Sequence, residues 1–93
     1  MRESTGHRRI TPGDVVVVDE AYKGYVNPVY WVGVVEEFDA AGPELPIVRL
    51  TRKPARLSDW WVIGKAYQHE RKHVLTLEEA RERFGDQPEF ETA

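Results

Sequence analysis

The sequence predicts a mainly β fold: a small antiparallel barrel or bent sheet of about five strands, closed by one short C-terminal α-helix. Three observations predict it. The chain has 93 residues, room for one small domain and no more. Its β-branched and aromatic residues gather in short runs separated by Gly, Pro and Asp, which is how strands and turns are written. Only one stretch, near the C-terminus, carries a full helix-start signature.

The elements follow in order. "MRESTGHRRIT" (1–11) is polar and unpatterned and reads as a flexible start. In "TPGDVVVVDE", Pro12 and Gly13 make a turn and four valines favour an extended backbone. "PVYWVGVVEEF" (28–38) is a second strand, ended by "DAAGPE". "LPIVRLT" (45–51) is a third, with Pro46 near its start, where a missing N–H is tolerable. "RKPAR" is a loop. Residues 57–74 are open to two readings. As a helix, Ser58 caps a stripe of Trp60, Ile63, Tyr67 and Val74. As a strand, "WWVIGKAY" is β-rich and Gly64 disfavours a helix by about 1 kcal/mol. The strand over 60–67 is preferred. Thr76 and Glu79 then form a capping box ahead of "LEEARERF", a helix over 77–84 with Leu77, Ala80 and Phe84 on one face and Gly85 as its stop. The domain is thus expected over 12–85, with "DQPEFETA" (86–93) a frayed acidic tail.

Alternation along the second strand puts Tyr30, Val32 and Val34 on one face and Val29, Trp31 and Val35 on the other. A sheet with one wet face would alternate apolar with polar. Both faces are therefore covered: one by the core, the other by the terminal helix, a second subunit or a partner. Trp60 and Trp61 raise the same point, since neighbours on a strand point to opposite faces and cannot both enter one core.

Composition excludes several classes. With no cysteine there is no disulfide and no thiolate metal site. No apolar run approaches membrane-spanning length and no secretory signal pattern opens the chain, so a cytoplasmic protein without a membrane partner is expected. No nucleophile elbow and no Gly-rich phosphate loop is present. The net charge of −3 hides segregation. Residues 47–73 hold seven basic groups (Arg49, Arg52, Lys53, Arg56, Lys65, Arg71, Lys72) against Asp59 and Glu70. Residues 1–46 are net acidic. "VRLTRKPARLSDWW" sets cations beside tryptophans, a mixture that suits an acidic protein surface and also phosphates with stacked bases. The acidic whole, with pI near 5.6, and the two-sided apolar strand favour a protein partner.

The pattern "GDVVVV…KGY…YWVGVVEE" resembles the opening of Tudor- and PWWP-type domains, SH3-like small barrels of the Royal family. Gly13, Asp14 and Val15 match the family's opening strand; Trp31, Gly33 and Val35 match its returning W-x-G-x-V strand. The resemblance spans residues 12–38. It implies an SH3-like barrel and an aromatic cage that takes a methylated lysine or another cation on ring faces, with Tyr25, Tyr30 and Trp31 in the cage positions. Core and loop packing is the competing role for the same rings.

"HERKH" (69–73) matches H-E-x-x-H, the pattern in which two histidines one helical turn apart bind zinc and the glutamate serves as general base. His69, Glu70 and His73 would fill those roles. The pattern needs a helix and a third ligand, which would come from His7 folding in from far away or from Glu89 or Glu91 in the tail. Arg71 and Lys72 place positive charge beside the metal, which disfavours it. An exposed polar turn is the preferred reading, so no cofactor is expected and zinc hydrolysis is the alternative.

These readings converge on a non-enzymatic binding module, an accessory or regulatory protein of a size that suits a phage or mobile element. Its contact surface would be Tyr25, Tyr30, Trp31 and Trp61 with Arg49, Arg52, Lys53 and Arg56. A protein partner is expected first. A homodimer is compatible with the pattern, and nucleic acid held by the basic 49–56 loop is the alternative.

Overall fold

The computed structural model describes residues 10–20, 30–38, 45–54, 57 and 60–91. The fold is mainly β, as expected: an open five-stranded antiparallel sheet and one α-helix. The strands are β1 (Val15–Asp19), β2 (Tyr30–Phe38), β3 (Pro46–Arg52), β4 (Ala66–Gln68) and β5 (Val74–Thr76), and the helix is α1 (Leu77–Phe84). The sheet order is β4-β3-β2-β1-β5. The longest strand is thus central and the two three-residue strands form the edges, where short strands limit unwanted pairing.

Register explains why β2 is apolar on both faces. Val17 pairs with Val32 on one side and Leu75 on the other, and Val18 pairs with Trp31 and Val74. Alternation then sends Val16, Val18, Trp31, Val35, Val48, Leu50 and Val74 to one face, where Ile10, Leu57 and Trp61 cover them. It sends Val17, Tyr30, Val32 and Leu75 to the other, where Ala80, Phe84 and Phe90 cover them. The second face is therefore closed by the terminal helix and the segment after it.

α1 starts as the sequence predicts. The Thr76 hydroxyl accepts the Glu79 N–H at 3.1 Å and the Glu79 carboxylate accepts the Thr76 N–H at 2.9 Å. Two turns of helix are marginal alone; the Leu77, Ala80 and Phe84 face packed on the sheet supplies the rest.

The structure corrects three boundaries. The strand expected over 60–67 begins only at Ala66. Before it, Lys65 N–H closes a turn on the Val62 carbonyl and Gly64 sits at φ +95°, a geometry that ends a strand and favours glycine. The tail expected to fray instead forms a 3-10 turn over Pro88–Phe90, and Phe90 is fully buried against Tyr30 with ring centroids 5.3 Å apart. Its ring is too apolar to leave in water when the sheet face lies open beside it. The start of the domain also shifts, since Ile10 is buried in the first core; residues 1–9 lie outside the described residues.

Candidate functional site

The sequence nominates aromatic rings, and the structure uses most of them as core. Tyr30 and Trp31 are buried on opposite faces of β2. Tyr30 packs on Phe84 at 4.9 Å and donates its hydroxyl to Glu89 at 2.8 Å. Trp31 packs on Trp61, Tyr67 and His69. Rings on opposite faces of one strand cannot line one cage, so this pair serves packing, and Trp61 does too at 2% exposure. Tyr25 and Arg56 lie outside the described residues.

The surface feature is the neighbour of Trp61. Trp60 is 66% exposed, Val62 49% and Ile63 57%. These three apolar side chains cap the turn that leads into β4. Trp60 stands edge-on to Trp61, with centroids 4.6 Å apart and planes at 84°, so a buried ring supports it from behind. The adjacent pair thus splits between core and solvent, but a turn divides it and not the strand on which the sequence expectation of that split depended. The sequence reading selects Trp61 for the surface. The signal that would have selected Trp60 instead is Gly64–Lys65, a turn pair that takes the preceding residues out of the sheet.

The basic residues fall into two groups. Arg49 on β3 is engaged with Glu36 on β2 and with the Gly64 carbonyl. That contact, a hydrogen bond first and charge second, holds the Glu36 carboxyl below its usual range and raises Arg49. Lys53 donates to the Trp61 carbonyl at 2.7 Å, and Lys65 sits 5.6 Å from the Tyr67 ring centroid. Arg49, Lys53 and Lys65 therefore gather around the turn, while Arg52 reaches away to the Glu91 carbonyl. Beside Arg52, Val15, Val32, Thr51, Glu89 and Glu91 line a cleft of about 140 Å³.

At the other end of β1, charge is buried. The Glu20 side chain is fully buried and one of its oxygens accepts the Trp31 indole N–H at 2.9 Å and faces His69 Nε2 at 2.6 Å. Asp19 pairs with Arg83 of α1, and the buried Arg71 donates to the Val74 carbonyl at 2.6 Å. His69 thus faces a carboxylate inside an aromatic setting. No sequence pattern marks Glu20 as its partner, because the two residues are 49 positions apart.

The zinc geometry is not formed over 69–73. Glu70 is extended (φ −71°, ψ 144°) and Arg71–His73 is a single 3-10 turn, so no α-helix presents His69 and His73 at i and i+4. Burial, with Lys72 nearby, lowers the pKa of His73. Among the described residues, no group of three or more His, Asp or Glu side chains is placed to hold a metal ion, and no helix is long and apolar enough to cross a membrane. In comparisons with known proteins, no family model, no curated protein and no solved structure matches the chain.

Proposed function

We propose that this chain is a small non-enzymatic binding module that docks a protein partner through the Trp60–Ile63 turn. One observation carries the reading. Three large apolar side chains, Trp60, Val62 and Ile63, are exposed within four consecutive residues at and just before the Val62–Lys65 turn, where polar residues are the rule. Tryptophan at such a position is the residue type that most often anchors an interface. The nucleic-acid alternative has less behind it: Arg49 is engaged with Glu36 and Arg52 with a backbone carbonyl, which leaves fewer cations to follow a phosphate chain.

The test is affinity capture with the wild-type chain and with Trp60→Ala and Ile63→Ser, each first shown to unfold at the wild-type urea midpoint. A partner retained by wild type and lost from both variants is expected. Equal retention by all three would refute docking through the turn.

A further inference from the structure

Resting on that docking reading, we infer that the protein docked is a second copy of this chain, joined β4 to β4 about a two-fold axis at Tyr67. The apolar turn and the open edge of the sheet then form one self-matching surface. Three observations lead there.

The first is that the two edges of the sheet differ. The outer side of β5 is occupied. Arg71 donates to the Val74 carbonyl at 2.6 Å, the Val74 N–H returns to the Arg71 carbonyl, and the Glu79 carboxylate accepts the Thr76 N–H at 2.9 Å. The outer side of β4 is open. Tyr67 pairs with Val48, the Lys65 carbonyl accepts Leu50 N–H, and His69 N–H donates to the Pro46 carbonyl. Positions 65, 67 and 69 therefore bond inward to β3, and alternation turns the backbone N–H and C=O of Ala66 and Gln68 outward. Among the described residues nothing bonds to them from that side.

The second is that this open edge matches itself. Antiparallel strands bond through residues that exchange both N–H and C=O, and these alternate with pairs that do not. With the axis at Tyr67, Ala66 of each copy meets Gln68 of the other. Every outward group of the two edges is then bonded. Tyr67 stands opposite Tyr67 of the other copy as a non-bonded pair, the closer of the two cross-strand spacings.

The third is where the exposed apolar groups lie. Tyr67 is half-buried on the side of Trp31 and Trp61, and the exposed Trp60 ring is 6.1 Å from it, centroid to centroid. Val62 N–H donates to the Tyr67 hydroxyl at 2.9 Å, so the turn is tied to β4. The two-fold axis brings both Tyr67 rings and both Trp60 rings to one face of the joined sheet, where each copy covers the other's. β4 is too short to pair with any passing strand on backbone bonds alone. The aromatic contact selects the strand that carries the same rings, which is a second copy.

The test is analytical ultracentrifugation of the full chain, together with hydrogen exchange of its backbone amides. The expected result is a monomer at about 1 μM and a dimer at about 100 μM, with Kd on the order of 10 μM. The Ala66 and Gln68 amides should exchange several times more slowly at the higher concentration. Gln68→Pro removes an outward N–H that the fold does not use, and Trp60→Ala removes the ring. Each should raise Kd by about tenfold or more while keeping the wild-type urea midpoint at the monomer concentration. Should Gln68→Pro fail to fold, the wild-type exchange rates decide alone. A wild type that stays monomeric, or a dimer whose Ala66 and Gln68 amides exchange as fast as in the monomer, overturns the edge pairing and leaves docking to the capture experiment. A dimer that protects those amides and has the same Kd in Trp60→Ala overturns docking through the turn, and this inference with it.

Discussion

Replacing Gly33 with alanine tests the register that holds the sheet together. Gly33 lies in β2 opposite Leu50 of β3, at a register shift between Val32 and Gly33. An added Cβ would stand 2.7 Å from Val48 Cγ1 and 2.9 Å from Trp31 Cζ3, and closer still to the Arg49 carbonyl oxygen. Ordinary contacts are 3.4–4 Å. Val48 and Trp31 are fully buried and cannot swing out of the way, and the Arg49 oxygen is backbone. Overpacking that side chains can absorb costs about 1–3 kcal/mol; here strands must part, so the upper end applies, about 3 kcal/mol. A domain of this size has roughly 5–14 kcal/mol in total. With a urea slope of about 1–1.5 kcal/mol/M, the midpoint should fall by about 2–3 M. Gly13→Ala is the control. Nothing lies within 4 Å of its added Cβ, and only φ +97° opposes it, a cost of about 1–2 kcal/mol. A Gly33→Ala midpoint no lower than that of Gly13→Ala would refute the steric argument and the β2–β3 packing behind it.

Three further outcomes follow from the packing of other buried residues. Phe90→Ala should lower stability by about 3 kcal/mol or more, because the ring is fully buried on Tyr30; an unchanged urea midpoint would return the tail to the frayed state that its composition suggests. Glu20→Ala removes the acceptor facing both the Trp31 indole and His69 and should cost about 1–3 kcal/mol for each group left buried, with Glu20→Gln recovering part; equal midpoints for wild type and Glu20→Ala would contradict the buried pairing. His73 has its pKa lowered from 6.5, mainly by burial. The folded state therefore binds the proton less readily than the unfolded chain does. Its contribution is present above about pH 6.5 and is lost as pH falls toward the lower folded value. His73→Gln should make the unfolding midpoint less sensitive to pH between about 7 and 5, and an unaltered slope would contradict that.

Short-range grammar was legible. Thr76 and Glu79 announce their helix because a capping box is completed within four residues, and Gly85 ends it. The valines of β1 and the apolar doublets of β2 announce strands because side-chain alternation is a property of consecutive residues. That both faces of β2 must be covered follows from the same alternation. What covers them does not: Phe90 reaches Tyr30 only when the chain folds back across the sheet, and its local sequence, flanked by Pro88, Glu89 and Glu91, looks like solvent-exposed tail.

The candidate site divides in the same way. The sequence by itself determined that cations cluster near Trp60 and Trp61 along the chain, a local fact of spacing, whereas the different environments of the two rings were expected only from a strand that does not form there. Tertiary structure decided which tryptophan faces water. The Val62–Lys65 turn, tied to Leu50 and Tyr67, rotates Trp61 inward onto Trp31 and leaves Trp60 outside. It also decided that Arg49 is taken by Glu36 and that His69 faces Glu20. Those pairings join residues far apart in the chain, and burial or charge partnership between distant residues exists only once strand register brings them together.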